Sequence, residues 1–348
     1  MRAVRLYGAR DFRLERMPHP RKPRTGEVLV GIRAVGICGS DLHLYTSGGI
    51  GSIRTEQPLI PGHEFMGKVM AIGPRSIGAD GSALTIGQRV AVEPHIPCHH
   101  CEWCEAGNPN LCPNHRFLGV PPNDGALCEF LLVPARQCFV LPKSISDGAG
   151  ALLEPLGVAL HAVDLAKIKL GITVVVAGGG PIGLMIGRLA ILAGAKIVIV
   201  VDPLAHRTAL ARQWGVTHAL TTKMESAVDR VRKITGPRGA DVVFEVAWAG
   251  TALPACLQVA GPGTKVVLVG IPDDDDCRFV HSEARRKGLT LLFSRRMKQV
   301  YPRAIKLTEG RKPKIALDEL ISHQFSLSQT AKAFDLNARY ADKMIKGV

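Results

Sequence analysis

Apolar positions in the first part of the chain come in short runs that glycine and proline interrupt. Residues 28–30 and 89–92 are examples, and little of this region repeats with the 3.6-residue period of a helix. Short apolar runs bounded by turn-forming residues are typical of strands. We therefore predict a β-rich domain over residues 1–155.

The pattern changes near residue 156. From there to about residue 294, apolar runs alternate with helical segments, which is typical of βαβ crossovers on a parallel sheet. The predicted strands are flanked by Gly, Pro or Asp and are expected in one doubly wound sheet: 172–177, 197–201, 240–246, 265–269 and 289–293. The sequence thus predicts a separate α/β domain over residues 156–294.

The closing segment, residues 295–348, carries a helix-like stretch at 301–308, an apolar run at 321–325 and a further helical stretch. We expect this segment to return to the first domain. A chain of 348 residues exceeds one typical hydrophobic core, which agrees with two domains. The predicted fold class is α/β, with a β-rich domain joined to a doubly wound parallel sheet.

Charge and the apolar stretches narrow the class of protein. The formal net charge is +14, but the basic residues are scattered and few aromatic residues lie nearby, so no nucleic-acid partner is predicted. The acidic residues 273–276 are predicted to form a solvated loop. The uncharged stretch 170–187 contains six glycines and a proline, which argues against a membrane span. The first residues carry no apolar leader, so a cytoplasmic protein is expected.

Four cysteines fall in one short stretch: Cys98, Cys101, Cys104 and Cys112. This spacing is typical of a tetrahedral zinc site, and the Pro and Gly residues within it indicate a loop wrapped around the ion. Four thiolates leave no coordination position open, so such a zinc would brace the chain rather than catalyse a reaction. A disulfide pair or four unrelated thiols is the alternative interpretation, and a reducing compartment weighs against disulfides.

A glycine motif follows the first predicted strand of the α/β domain, with G-x-G-x-x-G at Gly178, Gly180 and Gly183. The pattern alone is weak, but between strand and helix it allows a tight turn, a close approach to a pyrophosphate and close helix packing. Asp202 ends the next strand, 19 positions after Gly183, where a carboxylate binds ribose hydroxyls and repels a 2′-phosphate. NAD is therefore predicted rather than NADP, with Arg207 beside the adenosine. A glycine turn with an ordinary strand-end Asp is the alternative.

Two upstream segments, 36–43 and 62–67, are rich in metal-binding groups. Cys38 could supply a thiolate and His63 an imidazole, and a carboxylate would complete a three-ligand zinc site with one position open for catalysis. Lone Cys and His residues are more often structural, so these residues alone leave both interpretations open.

Together these motifs resemble the zinc-dependent medium-chain dehydrogenases, and most closely the polyol (sorbitol) dehydrogenase branch. The resemblance covers almost the whole chain: residues 38–43, 62–73, the four-cysteine stretch, 178–183 and the closing segment. Residues 121–125 and 153–157 are similar to the polyol branch in particular. The resemblance implies a GroES-like first domain, a Rossmann second domain, two zinc ions and NAD, and a homo-oligomer, either dimer or tetramer.

The resemblance implies roles for residues around a catalytic zinc. Cys38 and His63 would be ligands, and the third ligand would be either Glu64 or Glu154, a choice that the sequence leaves open. Asp41 would accept a hydrogen bond from His63 and fix its tautomer.

It also implies a route for the hydride and the proton. The zinc would act as a Lewis acid on an alcohol whose hydride passes to nicotinamide. Ser40 would take the proton and pass it through a ribose hydroxyl to His43. Further residues would contact the dinucleotide: Ile182 at the pyrophosphate, and Val269, Gly270, Ile271, Phe293, Ser294 and Arg295 along the nicotinamide.

The implied substrate pocket differs from that of the polyol branch. Phe117 would form an apolar wall, and Arg296, or the arginine before it, would contact substrate hydroxyls; an ordinary surface arginine is the alternative. Leu44 stands where the branch commonly has tyrosine, and Val120 stands where a more polar residue is common, which weakens the case for a sugar alcohol. Threonine dehydrogenases characteristically carry aspartate where Glu154 stands.

The predicted function is NAD-dependent oxidation of a secondary hydroxyl, in a polyol or related diol, to a ketone. The predicted partner is this small molecule, with no membrane partner. L-threonine or a simple secondary alcohol is the alternative substrate. From another class, the alternative is a non-catalytic zinc-containing relative that binds NAD or nucleic acid, against which the intact Cys38, Ser40, His43 and His63 argue.

Overall fold

The computed structural model describes residues 1–247, 249–272 and 276–348, so most of the acidic run predicted as a solvated loop lies outside the described residues. The chain forms two compact units. Unit 1 is Met1–Pro155 with Lys298–Val348, and unit 2 is Leu156–Met297. The second division therefore follows residue 297, where the sequence analysis placed it after residue 294.

In the sequence, the strands of unit 1 come both before and after the residues of unit 2. They are β1 (Arg2–Leu6), β2 (Phe12–Arg16), β3 (Glu27–Gly36), β4 (Gly49–Ile50), β5 (Ile53–Arg54), β6 (Glu64–Ile72), β7 (Arg89–Val92), β8 (His95–Ile96), β9 (Arg116–Phe117), β10 (Phe130–Pro134), β11 (Cys138–Val140), β18 (Ile321–His323) and β19 (Lys346–Gly347). The helices of unit 1 are α1 (Gly39–Ser47), α2 (Glu102–Glu105), α3 (Asp147–Ala151), α10 (Tyr301–Thr308) and α11 (Thr330–Ala338), with 3-10 turns at Pro109–Leu111, Ala135–Gln137, Leu317–Leu320 and Leu327–Gln329.

Unit 1 is built on an antiparallel sheet of five strands in the order β10-β3-β6-β7-β11. Alternate side chains of these strands point into one core, as the period of a strand requires. Val28 and Val30 on β3, Phe65 on β6, and Val90 and Val92 on β7 are all fully buried. The predicted β-rich first domain is therefore present, although the structure adds helix α1 directly after Cys38, which the sequence analysis did not predict.

The elements of unit 2 alternate between strand and helix. The strands are β12 (Thr173–Ala177), β13 (Ile197–Asp202), β14 (His218–Thr221), β15 (Ala240–Glu245), β16 (Ala260–Leu268) and β17 (Thr290–Phe293). The helices are α5 (Pro181–Leu192), α6 (Ala205–Gln213), α7 (Met224–Thr235), α8 (Ala252–Val259) and α9 (His281–Arg286). Helix α4 (Leu153–Ala166) contains the first chain division.

Unit 2 is a parallel sheet of six strands in the order β14-β13-β12-β15-β16-β17. Counted within the unit, this is the 3-2-1-4-5-6 order of doubly wound dinucleotide-binding folds. Val174, Val175 and Val176 are buried on both faces of β12, as expected for a parallel sheet covered by helices on each side. The predicted α/β fold class is confirmed.

One strand of this sheet was missed. Strand β14 spans four residues at an edge of the sheet, and it begins with His218 and ends with Thr221. So short and polar a segment carries no apolar run for a sequence pattern to detect. Within the described residues, no helix is long and apolar enough to cross a membrane.

Candidate metal centre and dinucleotide site

Cys38 is positioned by the first turn of α1. It is the residue directly before the helix, and its backbone N–H donates to Oδ2 of Asp41 at 3.1 Å. Cys38 therefore lies at a helix start, which carries a partial positive charge. The loop-to-helix transition thus fixes a soft metal ligand at the end of β3.

His63 lies directly before β6, and its two ring nitrogens have different neighbours. Nδ1 is 3.2 Å from Oδ1 of Asp41, and Nε2 is 3.5 Å from Oγ of Ser40. Burial acts to lower the pKa of His63, but the Asp41 carboxylate and Cys38 outweigh it, so the pKa stands well above its usual range. A metal held by His63 would need the neutral ring, so its binding would release a proton.

The ligand atoms of Cys38, His63 and Glu64 all lie within 4.8 Å of one another. One thiolate, one imidazole and one carboxylate suit zinc, and three ligands leave a fourth position for a substrate. Glu154, on α4, is buried but stands outside this group of three. Burial raises the pKa of Glu154 to about 8, against the effect of His63, and Glu64 raises it further. The geometry therefore gathers Glu64, rather than Glu154, with the other two groups.

Lys346, on the last strand of the chain, is a charged neighbour of this cluster that no sequence pattern predicted. Its Nζ lies 2.6 Å from Oε2 and 2.7 Å from Oε1 of Glu64, and it also donates to the carbonyl of Ile37 at 2.7 Å. Burial acts to lower the pKa of this lysine, but Glu64 reverses the effect and raises it, which keeps the lysine charged. The only signal in the sequence is a lysine inside the otherwise apolar ending 344–348.

Other residues of unit 1 that the sequence singled out lie beside His63 or on α1. The ring of Phe117 is centred 5.4 Å from that of His63. His43 is buried on α1, one helical turn after Ser40. Leu44 is fully buried, and Tyr45 donates its hydroxyl to Asp335 at 3.2 Å. The side chain of Tyr45 is thus hydrogen-bonded to α11.

The four-cysteine stretch folds into a lobe, which we call the cysteine lobe. Cys101 directly precedes the helical turn α2, which carries Cys104, and Cys112 directly follows a 3-10 turn. The Sγ atom of Cys101 lies 3.5 Å from that of Cys104 and 3.8 Å from that of Cys112. Zinc bound to four thiolates in a tetrahedron separates the sulfurs by about 3.8 Å.

All four thiols of the lobe are free, and their sulfurs lie within 4.8 Å of one another. The four cysteines of the lobe therefore form no disulfide in this structure. The predicted loop is partly helical, because α2 turns Cys101 and Cys104 towards the same point. The donor set and its spacing fit a closed zinc site.

The glycine motif lies between β12 and α5. Gly178 has a φ of 106°, in the region that favours glycine. A side chain at Gly183 would clash with the carbonyl of Gly178. Of the described residues, a Cβ built at Gly180 would have a single atom within 4 Å, Nη1 of Arg207 at 3.9 Å. Gly180 directly precedes α5, so the open space faces a helix start, where a pyrophosphate is stabilised.

Asp202 ends β13 beside this turn. Its Oδ2 accepts the N–H of Gly179 at 2.8 Å and its Oδ1 accepts the N–H of Leu204 at 2.8 Å. Nη1 of Arg207 is 3.4 Å from Oδ2. The carboxylate is therefore fixed against the glycine turn, with a cation beside it.

The remaining predicted cofactor residues lie at helix and strand ends of unit 2. Ile182 is in the first turn of α5, and residues 269–271 follow β16. Ile271 and Phe293 are exposed, and the N–H of Ser294 donates to the carbonyl of Leu268 at 2.9 Å. Carboxyl ends of parallel strands are where such sheets bind ligands. Arg296, also in unit 2, has a left-handed backbone conformation with a φ of 56°.

Both units of the chain match families of dehydrogenases. Residues 24–143 match the alcohol dehydrogenase GroES-like domain, and residues 181–318 match the zinc-binding dehydrogenase family. Sorbitol dehydrogenase of Bacillus subtilis is 34% identical over 347 residues, which is 99% of this chain and 96% of the relative. D-xylulose reductase of Saccharomyces cerevisiae is 37% identical over 334 residues, 94% of this chain and 92% of the relative.

A solved structure agrees with these matches. A zinc-binding dehydrogenase from Sinorhizobium meliloti, bound to NADP, is 33% identical and superimposes with a TM-score of 0.86. The match covers 99% of this chain and 98% of that one.

Proposed function

Because this chain belongs to the family of zinc-binding alcohol dehydrogenases, we propose that it oxidises a secondary hydroxyl of a polyol or diol to a ketone, with NAD as the hydride acceptor. The observation that carries the proposal is the convergence of Cys38, His63 and Glu64 on one point, with their ligand atoms within 4.8 Å of one another. Three ligands of this kind leave a position for the substrate oxygen.

The residues around this point prepare it for a metal and a substrate. When bound, zinc supplies Lewis acidity to the hydroxyl, and nicotinamide accepts the hydride. Asp41 holds Nδ1 of His63, at 3.2 Å, which directs Nε2 to the ligand cluster. Lys346 holds Glu64 through an ion pair of 2.6 Å, which fixes the carboxylate and balances its charge in a buried site.

We propose that Ser40 and His43 carry away the proton of the substrate hydroxyl. The Oγ of Ser40 lies 3.5 Å from Nε2 of His63, so the hydroxyl is next to the cluster and can accept the proton of the substrate. His43 follows three positions later on α1, on the same face of the helix. One imidazole nitrogen can accept a proton and the other can donate one, which suits a relay position for His43.

We propose NAD rather than NADP, although the solved relative from Sinorhizobium meliloti carries NADP. The support is Asp202, which is 3% exposed and held by the N–H groups of Gly179 and Leu204. A fixed carboxylate at this position binds ribose hydroxyls and repels a 2′-phosphate. NADH should therefore bind more tightly than NADPH in a direct titration. The substitution Asp202→Ser should reduce the difference in affinity between the two nucleotides. Tighter binding of NADPH by the unchanged protein would contradict this choice.

We also propose a cytoplasmic homo-oligomer. None of the nine cysteines forms a disulfide, which is usual for a protein of a reducing compartment. Phe279 and Val280, two large apolar side chains that precede the edge strand β17, are exposed. Exposed apolar groups at a sheet edge favour association. Light scattering of the purified protein tests this, and a monomer at micromolar concentration would contradict it.

A turnover assay tests the main proposal. Zinc-loaded protein is mixed with NAD and, in separate reactions, sorbitol, xylitol, 2,3-butanediol, threonine and simple alcohols, and NADH absorbance is followed. Turnover of a polyol or diol is expected. Absence of turnover with every substrate, for a protein shown to hold zinc and to bind NADH, would overturn the proposal.

A further inference from the structure

Glu245 is a buried carboxyl group that has no part in the function proposed above. It is the last residue of β15, the strand next to β12 in the middle of the sheet, and it is 6% exposed. In the strand register it stands opposite Ala177 on one side and Leu268 on the other. Its two neighbours therefore directly precede the glycine motif and the segment 269–271.

Glu245 contacts the loops that follow β15 and β16 through both its side chain and its backbone. Oε1 accepts the N–H of Ala247 at 2.8 Å, and the backbone carbonyl accepts the N–H of Val269 at 2.8 Å and of Gly270 at 3.1 Å. A Cβ built on Gly270 would lie 2.9 Å from Oε2, so the second carboxylate oxygen lies directly against this glycine. Glu245 thus binds the loop after β15 through its side chain and the loop after β16 through its backbone carbonyl, with its second carboxylate oxygen beside Gly270.

The same contacts reach the glycine motif. The N–H of Val246 donates to the carbonyl of Ala177 at 2.8 Å. A Cβ built on Gly178 would lie 2.9 Å from the nitrogen of Ala247, the same nitrogen that donates to Glu245. The turn at Gly178, the loop after β15 and the loop after β16 are therefore packed around one carboxylate.

We infer that Glu245 is a positioning residue for the dinucleotide, which holds the loops after β15 and β16 in the conformation that binds the nicotinamide half. This inference rests on the proposed binding of NAD. Oε1 of the ionised carboxylate accepts the N–H of Ala247, and protonation of the carboxylate removes the charge that strengthens this hydrogen bond. Dinucleotide affinity should therefore depend on the ionised state.

Burial raises the pKa of Glu245 to about 7, against the effect of the N–H groups of Ala247 and Gly270. The register partners on the two adjacent strands are apolar. The titratable group that faces Glu245 from α8 is the thiol of Cys256, whose pKa is raised well above its usual value by burial and then by Glu245 itself, so it stays protonated near neutral pH. The affinity that Glu245 supports should be full above pH 7 and fall as the pH drops through about 7.

The test compares Glu245→Gln with Asp241→Asn in the zinc-loaded protein. Asp241 lies near the opposite end of β15, where Oδ2 accepts the N–H of Thr173 at 2.8 Å, so it is a matched carboxylate that braces the far edge of the sheet. Dissociation constants for NADH, and for NADPH in parallel, are measured by fluorescence from pH 6 to 8.5, with thermal unfolding of each variant.

At pH 8 the Glu245→Gln variant should bind NADH about tenfold more weakly than the unchanged protein, because a charge-assisted hydrogen bond is lost. The difference should shrink as the pH falls to 6, because the unchanged protein then carries the neutral side chain as well. Asp241→Asn should lose thermal stability but keep its affinity. Glu245→Asp, which retains the charge on a shorter side chain, should bind weakly and keep the pH dependence, and it serves if the glutamine variant does not fold.

Equal affinity of Glu245→Gln and the unchanged protein at pH 8 would overturn the inference, as would equal weakening by Asp241→Asn. Failure of the unchanged protein to bind either nucleotide would overturn the proposed function as well, so the two failures are distinguishable.

Discussion

The two metal-ligand clusters of unit 1 differ in how the chain builds them. The cysteine lobe takes all four thiols from one stretch of 15 residues, 98–112, and leaves no position for a substrate. The cluster at Cys38, His63 and Glu64 takes its groups from separate elements and is completed by Lys346, 282 positions after Glu64. A closed site can be local because it needs only its ligands, whereas an open site needs the surrounding fold.

The two clusters also differ in burial and charge. Three of the four lobe cysteines are partly exposed, and the sulfurs depend on short turns rather than on a core. His63 and Glu64 are buried, and each carries a charged partner, Asp41 or Lys346. Removal of a lobe ligand should therefore affect stability, and removal of a ligand at the buried cluster should affect chemistry.

Cys38→Ser gives the largest expected effect. Without the thiolate the proposed catalytic zinc is lost, and turnover should fall by about ten-thousandfold or more, the equivalent of about 5 kcal/mol. Steady-state kinetics measures it, with Cys277→Ser, an exposed cysteine, as the matched control. A Cys38→Ser enzyme within tenfold of the unchanged protein would show that the reaction does not use this cluster.

Cys101→Ser should act on stability instead. Loss of the lobe zinc removes binding free energy that folding depends on, so the free energy of unfolding should fall by about 5 kcal/mol or more. Denaturant unfolding measures this, and turnover per folded molecule should stay close to that of the unchanged protein. Unchanged stability would mean that the lobe does not brace the chain.

In the metal-free protein, Lys346→Met should be destabilising by about 3–5 kcal/mol, because the buried Glu64 is left without its cation. Lys343→Met, at an exposed position of the same segment, is the control and should have little effect. The double variant Glu64→Gln with Lys346→Met should lose less than the sum of the single changes. Additive losses would mean that the pair does not interact.

Asp41→Asn should have the smallest effect of the four. The amide can still accept a hydrogen bond, but the charge beside His63 is lost, so zinc affinity at the open cluster should fall by about 10–100-fold. Competition with a chelator measures it. The cysteine lobe, in the same molecule, is an internal reference whose affinity should not change; equal weakening of both sites would point to general unfolding.

The same difference explains what the sequence could predict. The cysteine lobe and the glycine motif are local patterns, so their residues were identified before the structure was known. The choice between Glu64 and Glu154 was left open, because it depends on which carboxylate the fold brings to Cys38 and His63. Lys346 and Glu245 were missed, since their partners are set by β19 and by the register of β15, and no local pattern marks either. Strand β14 was missed for want of an apolar run.

Metal analysis combined with activity tests the central claim most directly. The unchanged protein should hold two zinc ions per chain, Cys38→Ser and Cys101→Ser should each hold one, and only Cys38→Ser should lose turnover while it remains folded. A Cys38→Ser protein that keeps both ions, or a Cys101→Ser protein that is folded but inactive, would contradict the assignment of one cluster to chemistry and the other to structure.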